Sequence, residues 1–321
     1  MTNVILHQYA GSPFSEKIRC LLGYKEQSYQ TVEIPVIMPK PDLMALTGGY
    51  RKTPVLQHGA DIYCDSGIIC RFLDGVFPDK PIYPQEQIAG LTAAVHWTDT
   101  FLFKVSVAVA FQPRAMVAND LFSDPAVAEA FMKDRAELSK GSTELGMDLS
   151  IAEPHWLQHM KRLEAQLSSA SFLGGESPTI LDFSTYHCCW FVYKNDVLKS
   201  DLDVLPALTH WMQRMAAFGH GDPTTISGDA AVEIALNSQP AVTPVTSETS
   251  EPQFAVGDDI EVLPIDYGFQ PTRGTLLLAS MDELVVQRTD PRAGDVAVPF
   301  PGLGFRVAAI SEQARAARAT T

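Results

Sequence analysis

Positive charge is scarce in this 321-residue chain: 24 Lys and Arg stand against 38 Asp and Glu, a formal net charge of -14. Neutralising a phosphate backbone takes clustered cations, so the balance argues against a nucleic-acid partner and against an anionic membrane surface. An anionic small ligand stays open, because it needs only a few local donors. Long apolar runs are missing too. No stretch approaches the roughly 20 apolar residues of a membrane span. The start, Met1 to Leu6, lacks the basic and apolar segments of a signal peptide. Cysteine is sparse, with Cys20, Cys64, Cys70, Cys188 and Cys189 forming an odd set without a CxxC pair. A disulfide framework and a zinc site are therefore not expected, and a reduced, cytoplasmic protein without metal is.

What is present is enough apolar material for real cores: 46% hydrophobic and 19% charged residues, in a chain long enough for two or three domains. From Val4 to about Pro84 strand and helix signals alternate. Val4 to Tyr9 reads as a buried strand and Phe14 to Lys25 as a helix with apolar residues at helical spacing. Gln30 to Ile34 is a second strand, and Thr53–Gln57 with Ala60–Cys64 form a hairpin around His58-Gly59. A helix restarts at Ser66. The stretch between the second strand and the hairpin gives no clear signal. This order suits a small α/β sheet covered by helices, over residues 1–84.

From 85 to 237 the strand signals fade. Helical spacing runs through Gln87–Phe111, Pro125–Leu149, Pro154–Leu167, Ile180–Tyr193 and Leu205–Ala217, which predicts an all-helical domain. Residues 238–252 are rich in Pro, Ser and Thr and read as a linker. Five short β runs follow within 253–311, separated by turn residues such as Asp266-Tyr267-Gly268, and predict a small all-β barrel. The polar tail 312–321 is expected to be disordered.

Three short motifs could carry chemistry. Ser12-Pro13-Phe14 lies where a strand hands over to a helix. A helix start offers free N–H groups and a positive dipole end, so a thiolate held there beside a hydroxyl would have a lowered pKa. The same residues also make an ordinary N-cap and first turn. Thr53-Pro54 enters a strand, where a proline removes a ladder donor and can expose the Thr53 backbone to an extended peptide; an edge-strand proline is the plain alternative. Asp65-Ser66 opens a helix and could grip an amino-acid head group, acid to ammonium and hydroxyl to carboxylate, or could simply cap the helix.

Taken together, the run Tyr9–Arg19, then Thr53-Pro54-Val55-Leu56, then Asp65-Ser66-Gly67-Ile68-Ile69 resembles the N-terminal domain of glutathione transferases. A second likeness is Thr179-Ile180-Leu181-Asp182, similar to the capping box of that family's central helix. The resemblance covers roughly residues 4 to 220. It implies a thioredoxin-like N-terminal domain, an all-α second domain and glutathione as co-substrate. It implies that Ser12, or Ser15 in its place, hydrogen-bonds the glutathione sulfur. Thr53 before Pro54 would pair with the cysteinyl backbone, and Asp65 with Ser66 would hold the γ-glutamyl end. Lys52 or Arg51 would meet the glycyl carboxylate, and Trp97, Phe101 and Phe103 would line the electrophile site.

The family also implies a homodimer and a detoxifying transferase acting on a hydrophobic electrophile. Glutathione-dependent peroxidase or isomerase chemistry and a non-catalytic scaffold are the alternatives. The sequence departs from the family in three places. Asp65 replaces the usual Glu, the segment Thr47–Lys52 lacks the Asn-Pro often found there, and the final β module is extra. That module looks like a Src-homology-3-type barrel, which leaves open a protein partner or packing against its own chain or a second subunit.

Overall fold

The computed structural model describes residues 3–117, 124–242 and 253–310. In chain order the first elements are β1 (Ile5–Gln8), α1 (Pro13–Tyr24), β2 (Ser28–Glu33), α2 (Pro41–Thr47), β3 (Val55–His58), β4 (Asp61–Cys64) and α3 (Ser66–Val76). Then come α4 (Ile88–Trp97), a π-helical turn at Thr98–Leu102, α5 (Phe103–Ala110), α6 (Pro113–Met116), α7 (Pro125–Ser139), α8 (Leu149–Leu167) and α9 (Ile180–Tyr193). The remainder is α10 (Asp196–Lys199), α11 (Pro206–Ala216), β5 (Asp222–Thr225), α12 (Gly228–Leu236), β6 (Asp259–Pro264), β7 (Thr272–Ala279), β8 (Glu283–Asp290), β9 (Gly294–Pro301) and β10 (Phe305–Ala309). The chain divides into two compact units. One holds residues 1–10, 29–71 and 223–321; the other holds 11–28 and 72–222. No described helix is long and apolar enough to cross a membrane.

The first unit is built on one sheet of ten strands, in the order β10-β6-β7-β8-β9-β4-β3-β1-β2-β5. β1 is buried along its whole length, which explains why Ile5-Leu6-His7-Gln8 shows no polar alternation. It pairs parallel with β2 and antiparallel with β3, and β3 and β4 form the expected hairpin. The unassigned stretch of the sequence is α2, short and opened by Pro41. The five late β runs are present as β6–β10. They do not stand apart as a separate module but continue the first sheet: β9 lies parallel to β4, with Asp61 opposite Ala297 and the Ala297 N–H bonded to the Ala60 carbonyl at 3.0 Å. Without β9, β4 would be an edge strand with unmet backbone groups, and the apolar β9 needs cover on both faces. One core runs through the unit, from Ile5, Leu46 and Val55 to Val262, Val286 and Phe300. The predicted linker falls largely on 243–252 and the predicted tail is 312–321, both outside the described residues.

His7 is buried in that core, its Nε2 2.9 Å from Gln57 Oε1. The Gln57 amide donates to the Gly59 and Ala231 carbonyls, so its oxygen faces His7 and His7 must donate through Nε2. Burial lowers the His7 pKa to about 4, against the smaller raising influences of Gln57 and Asp42.

The second unit is helical. α1 packs on α9, α5 on α8 and α9, and α11 on α8 and α9. α9 carries the predicted capping box: Asp182 accepts from the Thr179 N–H at 2.9 Å. It also accepts from the Leu173 N–H at 2.7 Å and from the Trp211 indole at 3.0 Å. The predicted helix Gln87–Phe111 is one continuous helical run, α4 joined to α5 through the π turn. The one predicted over Pro125–Leu149 stops at Ser139 before Gly141, and α8 begins upstream of Pro154, which it absorbs.

Two measurements follow. Asp182→Ala orphans three buried donors and should lower stability by about 3 kcal/mol, read as a fall in Tm. His7 stays neutral in the fold while the unfolded chain takes up a proton below about pH 6.5. Stability should therefore drop by about 3 kcal/mol as pH falls from 6.5 to 4. Urea midpoints for the wild type against His7→Gln isolate that loss.

Candidate functional site

Asp65 sits at the junction of β4 and α3 with φ 95°, a left-handed conformation rarely adopted by non-glycine residues. Its Oδ1 accepts from the Gly67 N–H at 2.8 Å. The acid is thus held at the start of α3 by a backbone conformation that costs about 1–3 kcal/mol, the kind of local strain that gathers at ligand sites. Ser66 is the first residue of α3 and is buried. In the same unit the Thr53–Pro54 bond is cis, and Thr53 Oγ1 lies 3.3 Å from the ammonium of Lys40, which also sits over the Tyr9 ring.

Lys52, expected to face a ligand carboxylate, is committed elsewhere. Its ammonium is 2.6 Å from Asp266 Oδ1 and 4.0 Å from the centre of the Tyr267 ring. Lys40 is a cation that the sequence reading missed, since a lysine in Met38-Pro39-Lys40-Pro41 carries no signal of a site. Only the fold brings it to Thr53.

In the second unit, Ser12 is the N-cap of α1, 2% exposed, and its hydroxyl oxygen accepts the Ser15 N–H at 3.2 Å. Its own proton stays available to donate. The Ser15 hydroxyl is buried and makes no hydrogen bond among the described residues. The Lys194 ammonium donates to the Gly11 carbonyl at 3.0 Å and lies over Trp190 and Phe191. Partial burial, helped by Arg19, lowers the Lys194 pKa to about 8.

The three aromatic candidates separate. Phe103 packs on Phe14, ring centres 4.6 Å apart, two residues beyond Ser12. Trp97 and Phe101 stack on each other at 5.7 Å and face His159 and His155 of α8. Phe101 lies in the π turn and Phe103 two positions after Phe101, and residues two apart on a helix do not share a face.

The first turns of α1 are tied down by a buried network. The Lys17 ammonium, fully buried, is 2.7 Å from Asp99, whose other oxygen meets His187 Nε2 at 3.1 Å. The His187 ring in turn packs on Phe14. Burial alone would raise the Asp99 pKa, but Lys17 and His187 outweigh it and hold the carboxyl down to about 2. Asp99→Asn should lower stability by about 3 kcal/mol, because it removes the carboxylate charge that offsets a buried ammonium. Combining Lys17→Met with Asp99→Asn should recover part of that loss in a thermal double-mutant cycle.

The chain belongs to the glutathione S-transferase family: the family pattern "Glutathione S-transferase, N-terminal domain" matches residues 6–81 and "Glutathione S-transferase, C-terminal domain" matches 125–214. A GST-like protein from Pseudomonas syringae is 38% identical, with a TM-score of 0.81 over 97% of this chain and 100% of its own. That coverage extends the likeness through the β6–β10 strands. Among curated relatives, glutathione S-transferase U4 of Arabidopsis thaliana is 23% identical over 66% of this chain and 84% of its own. Pyrimidodiazepine synthase of Drosophila melanogaster is 23% identical over 63% and 72%.

Proposed function

We propose that the chain binds glutathione and activates its thiol for attack on an apolar electrophile. The observation that carries the reading is the left-handed Asp65 at the start of α3. It presents a carboxylate beside a helix N-terminus, so one short turn can take both an ammonium and a carboxylate, the two charges of a γ-glutamyl head group. The Thr53 backbone pairs with the cysteinyl unit. Lys40, rather than Lys52, takes the glycyl carboxylate, because its ammonium already stands at Thr53 while Lys52 is neutralised by Asp266.

Ser12 donates its hydroxyl proton to the sulfur. The α1 N-terminus adds a favourable field, and each unit of thiol pKa lowered corresponds to about 1.4 kcal/mol of thiolate stabilisation. Phe14 and Phe103 supply the apolar contact for the second substrate. The Lys194 ammonium beside the Gly11 carbonyl supports the same negative charge.

Calorimetry with glutathione, coupled to thiolate absorbance as a function of pH, tests these roles. Asp65→Ala should weaken binding about tenfold or more through a lost charge-assisted bond. Ser12→Ala should still bind, with the bound thiol pKa raised by about one unit, whereas Ser15→Ala should leave it unchanged. No binding of millimolar glutathione to the wild type would sink the reading and leave the scaffold alternative standing.

A further inference from the structure

The β6–β10 strands and the connection between β6 and β7 touch nearly every residue between the end of α2 and Thr53. The Arg288 guanidinium donates to the Ala45 and Leu46 carbonyls, groups that the end of a helix leaves unmet. The Thr272 hydroxyl, buried, donates to the Thr47 carbonyl at 2.9 Å. Gly48, with φ 74°, lies so close to the Arg288 side chain that a Cβ would collide with it, and a Cβ on Gly49 would collide with the Pro271 carbonyl. The Tyr50 ring packs on Phe300 and Phe305. Lys52 ends the run, clamped between Asp266 and the Tyr267 ring, and the Tyr267 N–H braces the same Asp266 oxygen at 2.7 Å. The segment that departs from the family pattern in sequence, Thr47–Lys52, is therefore the surface on which the extra strands dock.

We propose that the strand extension is part of the thiol site: Asp266, Thr272 and Arg288 are positioning residues that fix residues 48–52, whose Arg51 carbonyl holds the Lys40 ammonium, and so set the grip on the far, glycyl end of the ligand. None of the three touches the ligand. They act through α2 and residues 48–52, whose freedom they remove before binding, which lowers the entropic cost of ordering the loop around the peptide. Lys40 bonds the Arg51 carbonyl at 3.5 Å as well as the Thr53 hydroxyl, so a shift of residues 48–52 moves the ammonium that takes the glycyl carboxylate. The γ-glutamyl end, held at Asp65 and Ser66, lies outside the clamped segment. This inference rests on the thiol-site reading above and predicts something that reading does not: a defect confined to one end of the ligand.

The test compares glutathione with γ-glutamylcysteine, which lacks the glycyl unit, by calorimetric titration into the full chain. Asp266→Asn and Thr272→Val are examined singly and together, with circular dichroism and Tm as checks on the fold. The expected result is that the double variant binds glutathione about tenfold more weakly and γ-glutamylcysteine unchanged, a loss of about 1.4 kcal/mol confined to the glycyl end. Equal weakening for both thiols, or a lowered Tm with both affinities intact, would overturn the positioning role and leave a structural anchor. Normal glutathione affinity in the double variant at unchanged Tm would overturn it too. If neither thiol binds the wild type, the thiol-site reading itself fails and the positioning role falls with it.

Discussion

The end of α2 and the two glycines after it form the constraint on which the first unit depends. A helix of seven residues has little cooperative stability of its own, and its last carbonyls need partners. Here the partners come from far along the chain, in Arg288 and Thr272, and they can reach only because Gly48 and Gly49 carry no side chain. The same approach buries Tyr50 against Phe300 and seats Asp266 on Lys52. Removing the strand extension would therefore expose more than the edge of β4. It would free the carbonyls of α2 and undo the core that runs continuously from Ile5 to Phe300.

The second unit solves a different problem, the placement of one helix start. Lys17, Asp99 and His187 tie α1 to the π turn and to α9 through charges that are expensive to bury singly and tolerable as a set. Phe14 and Phe103 close over His187, which brings apolar surface next to the Ser12 turn. Asp182 performs the matching task inside the helical core, satisfying its own cap while also tying Leu173 and Trp211 to it. In both places one carboxylate serves several elements, which explains how a chain with so few cations keeps its buried acids paired.

Much of this was legible in the sequence, and the failures have physical causes. The buried run of β1, the β3–β4 hairpin and the Thr179–Asp182 box announce themselves because each is a local pattern of period, turn or cap. The five late strands were legible for the same reason, but their parallel joining to β4 was not, since a single pairing between residues 61 and 297 leaves no local trace. α2 is too short and too flanked by proline to show a period. The Lys52–Asp266 pair and the approach of Lys40 to Thr53 left no local trace either, since the acid stands 214 residues from its lysine.

Amide hydrogen exchange with and without glutathione tests the central claim most directly, because it reads every segment of the full chain at once. Binding that engages Thr53, Asp65 and Lys40, beside a loop already clamped by the strand extension, predicts new protection at residues 50–54 and 65–67. Peptides of β7 and β8 should be slow to exchange before and after glutathione is added. Protection confined to other parts of the chain, or an α2 loop that exchanges freely in the absence of glutathione, would contradict the account.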